Sequence, residues 1–219
     1  MAIRSNPSAE RNKGPIGEFF STRTPFSSST PGAALEIGSG TGQHAAEFAA
    51  RFPHVKWQPT EYCGGSNGPE EPAHGTTGPV FDCIKAWTAQ LSNVEAPLEL
   101  DAAAETWPAA VESSRYDAIF ACNVAHISPF AVTTGLLRGA SRLLAPDGRL
   151  FLYGPFMVDG KHTAPSNQEF DARLRAQNPA WGVRDCGQLA ELARTLGLRL
   201  EERAEMPANN FVVAFCRSA

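Results

Sequence analysis

Apolar and polar positions along the chain fall into short apolar runs bounded by Gly, Pro or Asp, alternating with longer stretches of helical period. That alternation is the signature of a parallel sheet covered by helices. The runs predict strands at 33–37, 55–60, 97–100, 116–122, 149–154, 198–204 and 210–216, with helices near 42–52, 80–92, 130–145 and 185–196. An N-terminal helix is expected from about Pro15 to Thr22. Asp147-Gly148 turns the chain into the fifth strand, and Asp185 caps a helix that Gly197 closes. Glu205 to Asn209 is far too short a link for a right-handed helical crossover, so the last two strands should form an antiparallel hairpin. The expected fold class is α/β, a seven-stranded, mostly parallel sheet with a terminal antiparallel hairpin and helices on both faces.

Length and composition narrow the function. A chain of 219 residues, 42% hydrophobic and 19% charged, fits one globular domain with its own core. The net charge of −4 lacks the clustered basic face of a nucleic-acid binder, so no nucleic-acid partner is expected. Five cysteines (Cys63, Cys83, Cys122, Cys186, Cys216) form no C-x-x-C pair and have no close His companion, which speaks against a disulfide framework and against a metal site. The first fifteen residues, MAIRSNPSAERNKGP, lack an apolar core, and no stretch approaches a membrane span in length. A cytoplasmic protein with reduced thiols and no membrane partner is the expectation. The 19 glycines and 17 prolines are a modest excess, and eight of them crowd into Cys63–Pro79, a long loop that is either a functional lid or an insertion.

The sharpest motif is LEIGSGTGQHA, residues 35–45, where a strand gives way to a helix through Gly38, Gly40 and Gly42. Without Cβ atoms these positions accept positive φ and let a ligand lie against the main chain, beside the free N–H groups of the helix start. About twenty residues on, the second strand ends at Glu61, either a surface acid or a carboxylate for the hydroxyls of a ribose. Asp101 follows the third strand at the same edge, either as a helix cap or as acceptor for a purine amine. Gly40-Thr41-Gly42-Gln43-His44-Ala45 formally matches the dinucleotide fingerprint, but it starts past the strand end, and Gly38-x-Gly40 is followed by Gln43 where Gly or Ala is wanted. Glu36 and the reversed terminal hairpin favour a methyl donor over NAD.

The strings RNKGPI (11–16), WQPTEY (57–62), YDAIFACNVAHISP (116–129), YGPFMVDGKHTAPSNQEFDARLR (153–175), WGVRD (181–185) and MPANN (206–210), together with the glycine turn, resemble the methyltransferase-like protein 26 family across nearly the whole chain from Arg11. That resemblance implies a Rossmann-like class I methyltransferase fold that uses S-adenosyl-L-methionine as its cofactor. It places Gly38, Gly40 and Gly42 along the methionine part of the donor, Glu61 at the ribose and Asp101 at the adenine. With Glu36, Ser39 and Asn123 they make up the expected cofactor-binding set. Here the chain departs from the family in one place, because Cys63–Pro79 intervenes between the second-strand acid and the next helix.

Methyl transfer is an in-line displacement, so the protein mainly holds nucleophile, methyl and sulfur collinear, and needs a general base only for an acceptor protonated at neutral pH. His126, after the fourth strand, is either that base or a packed structural histidine. Tyr153, Pro155 and Phe156 close the fifth strand, as core or as acceptor wall. Residues 157–183 carry Lys161, His162, Asn167, Phe170, Asp171 and Trp181, with Arg184 nearby, a substrate-side cap by their variety. The catalytic candidates are His126, Tyr153 and Asp171. Arg11, Asn12 and the hairpin tip at Met206–Asn210 are expected to fold back over the site. The acceptor is expected to be a small molecule or a protein side chain. A donor-binding scaffold without turnover is the alternative.

Overall fold

The computed structural model describes residues 4–23, 25–64 and 77–218. Its strands are β1 (Gly32–Ile37), β2 (Val55–Glu61), β3 (Leu98–Glu99), β4 (Tyr116–Cys122), β5 (Leu144–Gly154), β6 (Phe156–Val158), β7 (Lys161–His162), β8 (Arg184–Asp185), β9 (Leu198–Met206) and β10 (Asn210–Arg217). The helices are α1 (Pro7–Ser21), α2 (Gln43–Arg51), α3 (Thr77–Thr88), α4 (Ala109–Glu112), α5 (Phe130–Leu143), α6 (Pro165–Gln177) and α7 (Cys186–Thr195). Seven strands form the main sheet in the order β3-β2-β1-β4-β5-β10-β9. β1 to β5 run parallel, and β10 lies antiparallel to both β5 and β9. The expected sheet and its terminal hairpin are therefore present. Strand order reverses between β1 and β4, and at such a switch point the carboxyl ends of the strands open a crevice.

Side-chain alternation along the strands divides the core in two. Ala34, Ala118, Phe120, Phe151 and Val212 face α1 and α2, where Phe20 stacks on Phe26 at 4.5 Å and meets Phe48, Phe120 and Phe151 at 5.1–5.4 Å. Leu35, Ile37, Ile119, Leu150, Leu152 and Val213 face α5 and α7, contacting Leu136, Leu137 and Leu189. Among the described residues no helix is long and apolar enough to cross a membrane.

Several elements differ from the sequence expectation, each for a local reason. α1 starts at Pro7, because Asn6 caps it by accepting from the Ser8 N–H at 2.8 Å; Pro15, the expected start, sits inside and only forgoes one hydrogen bond. β5 begins at Leu144, directly after α5, and carries Asp147-Gly148 inside it with a register shift opposite Tyr116/Ala118. α3 opens at Thr77, so the last three residues of the expected loop are helical, while 65–76 lie outside the described residues. The stretch read as a cap contains α6 and contributes β6 and β7 to a three-stranded sheet ordered β7-β6-β8, none of which the pattern predicts. α6 hides from a hydrophobic-period reading because two of its three buried residues, Asn167 and Asp171, are polar. At α7 the expectation holds: Asp185 accepts from the Gly187 and Gln188 N–H groups, and Gly197 follows with φ of 73°.

α5 sets the position of the chain after β3 by close approach. A Cβ at Gly135 would come 1.7 Å from the Ala102 carbonyl oxygen. Gly135→Ala should therefore cost about 1–3 kcal/mol and lower Tm by roughly 2–12 °C. Thermal unfolding checks this, and an unchanged Tm would mean that the 101–103 turn yields freely.

Candidate functional site

The glycine turn leaves β1 at Ile37 and returns into α2 through Gly38, Gly40 and Gly42, with φ of 73°, 54° and 90°. Gly42 has to be glycine twice over: its φ is left-handed, and a Cβ would stand 2.7 Å from the Ile84 Cα. At Gly40, which is exposed, a Cβ would meet nothing within 4 Å, so this peptide faces open space. The turn is pinned to the end of β2, since the Ser39 N–H donates to the Thr60 carbonyl at 2.8 Å and the Gly40 N–H to Glu61 Oε2 at 2.6 Å. Glu61 Oε1 accepts from the Tyr62 N–H at 3.0 Å. The second-strand acid and the glycine turn thus share one edge, as their spacing predicts.

Beneath the turn lies Glu36, 1% exposed. Its Oε2 accepts from Trp57 Nε1 at 2.8 Å, whereas among the described residues Oε1 and the buried Ser39 Oγ are without a short hydrogen bond, the Ser39 hydroxyl lying near enough to act on the carboxyl. Burial raises the Glu36 pKa from 4.5 to about 7, with hydrogen bonding by Trp57 and Ser39 opposing and Glu61 adding to the rise. A buried carboxylate that keeps hydrogen-bonding capacity to spare is poised for a cationic ligand group. Asn123 leaves β4 with φ of 62°, its N–H donating to the Tyr153 carbonyl at 2.8 Å. The following residue, Val124, packs against Gly38, where a Cβ would approach it to 2.7 Å, so Asn123 adjoins the glycine turn.

α1 closes the site from the other side. Gln43 at the start of α2 bonds to Asn6 and Glu10 of the α1 segment, and Thr41 Oγ donates to Gln43 at 2.7 Å. Asn12 Oδ1 meets His44 Nε2 at 2.7 Å, and Asn12 Nδ2 donates to Cys122 Sγ at 3.5 Å. Burial lowers the His44 pKa to about 4, so this ring is neutral and donates Nε2–H to the amide. Tyr153, 4% exposed, is held well up at about 12 by burial and the Cys122 thiol, with Asn12 and Asn210 as hydrogen-bond neighbours.

His126 flanks the end of β5 from the opposite face. Its ring lies against Gly154, where a Cβ would come 2.8 Å from Cε1, and meets Phe170 edge-on at 5.5 Å. It is 2% exposed, Nδ1 has no partner, and burial followed by the Arg184 charge lowers its pKa to about 4. Two candidates stand apart from this cluster. Asp171 turns its carboxylate to the Val183 N–H at 2.7 Å and Arg175 Nε at 3.0 Å, with His162 at 3.5 Å. Asp101 is exposed just after β3 and accepts from the Ala103 N–H at 2.8 Å; it closes a turn there and caps no helix. Among the described residues no group of three or more His, Cys, Asp or Glu is placed to hold a metal ion.

Sequence reasoning passed over Trp57 and His44 as parts of the site, and placed Arg184 only beside the cap, without its grip on the loop after β4. Trp57 and His44 lie inside WQPTEY and LEIGSGTGQHA, so the strings marked them while their partners in the fold remained unreadable.

Solved structures share this architecture. The mitomycin 7-O-methyltransferase MmcR superposes with a TM-score of 0.71 at 20% identity, over 95% of this chain and 54% of that one. An O-methyltransferase family protein from Burkholderia thailandensis gives 0.71 at 15% identity, over 97% and 59%. CalO1, a methyltransferase in calicheamicin biosynthesis solved with SAH bound, gives 0.64 at 14% identity, over 95% and 55%. The chain spans between a half and three-fifths of the length of these structures, and at such identities they establish the class I methyltransferase fold. The family model described as "Protein of unknown function (DUF938)" matches residues 3–217, and the chain therefore belongs to the DUF938 family.

Proposed function

We propose that the protein is an S-adenosylmethionine-dependent methyltransferase that methylates a hydroxyl group, most simply on a small molecule. It fits the methyltransferase-like protein 26 kind that its sequence strings resemble. The observation that carries this is the convergence, at one switch-point edge, of an open left-handed glycine peptide, the Glu61 carboxylate and two neighbouring buried polar groups, the Glu36 carboxyl and the Ser39 hydroxyl, that keep hydrogen-bonding capacity to spare. These groups fit the donor. Gly38, Gly40 and Gly42 pass its methionine part, Glu36 and Ser39 meet its ammonium end, Glu61 takes the ribose, Asp101 the adenine amine through its second oxygen, and Asn123 closes the far side. When bound, S-adenosylmethionine supplies a methyl group on a positively charged sulfur already activated for displacement.

The chain's own part is orientation and proton transfer. Burial keeps His126 neutral across the physiological range, which leaves an imidazole lone pair for the acceptor proton and also makes the ring a weaker base than a free histidine. O-methyltransferases among the structural relatives support a hydroxyl acceptor. Tyr153, with its phenol held protonated, serves as a hydrogen-bond donor in the acceptor wall beside Asn12 and Asn210. Asp171 supports the α6 cap through Arg175 and Val183.

A test uses methyl-labelled S-adenosylmethionine and fractionated cell extract. Label transferred to a low-molecular-mass product with equal S-adenosylhomocysteine supports the enzyme. Tight donor binding with no S-adenosylhomocysteine above blank from any fraction would leave a donor-binding scaffold instead.

Glu36 adds a pH signature. Below about pH 7 it is protonated in the empty site, and a donor ammonium beside it favours the carboxylate, so binding expels a proton. Affinity should rise with pH up to about 7 and then level off. Calorimetry at pH 6 in buffers of different ionisation enthalpy should show close to one proton released, and Glu36→Gln should abolish the buffer dependence. A buffer-independent enthalpy for the unaltered protein would remove Glu36 from the ammonium site.

A further inference from the structure

Arg184 in β8 is 8% exposed, and its guanidinium reaches across to the loop that follows β4. Nε donates to the Ala125 carbonyl at 2.8 Å, and one terminal nitrogen donates to the carbonyls of Ser128 at 2.6 Å and Ala180 at 3.1 Å. Ala125 and Ser128 stand on either side of His126. The Gly182 N–H adds a bond to the His126 carbonyl at 3.0 Å, so the 182–184 segment holds this loop along its length. The guanidinium also lies over the Phe130 ring, 5.4 Å from its centroid, which closes off its remaining face.

These contacts are unusual for a buried cation, because every acceptor is a neutral main-chain carbonyl. A planar fork with several fixed donors can bind two carbonyls of one loop at once, which a lysine ammonium on a flexible stem does less well. We propose that Arg184 is a positioning residue for His126: by gripping the main chain before and after it, the guanidinium fixes the imidazole against Gly154, in the orientation that leaves Nδ1 without an internal partner. This rests on the reading of His126 as acceptor of the substrate proton, although the arrangement of the loop can be tested without it.

The same guanidinium is the charged group whose field acts on the imidazole, second to burial, and both keep the ring neutral. Other charges around the site act through Arg184. Arg175 and Asp171 of α6 influence it in opposite directions, and His162 of β7 faces Asp171 at 3.5 Å. Asp185, the next residue in sequence, is engaged elsewhere, by the Gly187, Gln188 and Gly160 N–H groups. Arg184 therefore contributes geometry and charge together, and two substitutions separate them.

The test is a titration of the full-length protein labelled in its histidine rings and followed by NMR, with the His126 signals assigned by their loss in His126→Asn. In the unaltered protein His126 should stay neutral down to about pH 4. Arg184→Met removes donors and charge, and should raise the His126 midpoint by about 1 pH unit while shifting or broadening its ring signals. Arg184→Lys keeps the charge and loses the fork, so the midpoint should stay low while the ring signals still move. Thermal unfolding identifies any variant that fails to fold; if Arg184→Met does so, the ring signals of Arg184→Lys decide. Unchanged His126 ring signals in the folded variants would overturn the proposal. Full turnover by His126→Asn would instead sink the proton-acceptor reading, and the NMR result would still decide whether Arg184 positions the ring.

Discussion

Replacement of Glu61 by alanine should weaken binding of S-adenosylhomocysteine by about 10- to 150-fold, the equivalent of losing a charge-assisted hydrogen bond worth about 1.5–3 kcal/mol. The position of Glu61 argues for an effect of that size. It ends β2 at the edge where the strand order switches, and its carboxylate already lies against the glycine turn, accepting from the Gly40 N–H at 2.6 Å and the Tyr62 N–H at 3.0 Å. The alanine variant loses the ribose acceptor and also frees the peptide of the turn. Glu61→Gln keeps the shape and one acceptor oxygen, so it should fall between the two. NADH should bind none of the three. Titration calorimetry giving equal affinity for the unaltered protein and Glu61→Ala would take the ribose role from this residue.

His126→Asn should lower the rate of methyl transfer by roughly 10²–10⁴-fold, the range of general-base contributions, while leaving S-adenosylhomocysteine affinity unchanged. The separation follows from the roles: His126 packs on Gly154 and Phe170 and is not among the groups proposed to hold the donor. Single-turnover measurement of labelled methyl transfer, with the acceptor found in extract fractions, checks the rate; calorimetry checks the affinity. A rate within a fewfold of the unaltered protein would show that the acceptor gives up its proton without the imidazole. The pH dependence of stability carries the same histidine. A His126 pKa lowered to about 4 from 6.5 contributes stability that is fully present above 6.5 and is lost as pH falls through about 4. His44 acts in the same sense, whereas Glu36, raised from 4.5 to about 7, contributes stability present below 4.5 that is lost as pH rises through about 7.

The strands were readable where burial on both faces produces continuous apolar runs, as in Ala118–Ala121 and Leu150–Leu152. α6 was not, because two of the three residues it buries are Asn167 and Asp171, which are satisfied by Asn209 and Val183 main-chain groups outside the helix. The meeting of the glycine turn with Glu61 at one sheet edge was legible because glycine spacing and a strand-end acid are local signals. Partners such as Trp57 for Glu36, Asn12 for His44 and Asn12 for Cys122 lie 21, 32 and 110 residues apart; the first depends on the pairing of β1 with β2, and the other two on how α1 docks. Asp171 shows the opposite limit. Its Arg175 partner, at helical i,i+4 spacing, was visible in the sequence, but without α6 itself that spacing had no meaning.

The most direct test of the whole arrangement is a crystal structure of the protein with S-adenosylhomocysteine bound. It should show both ribose hydroxyls on Glu61, the homocysteine ammonium within hydrogen-bond reach of Glu36, and the sulfur facing the space between His126 and Tyr153. A ligand whose ribose lies away from Glu61, or whose sulfur points away from His126, would contradict it.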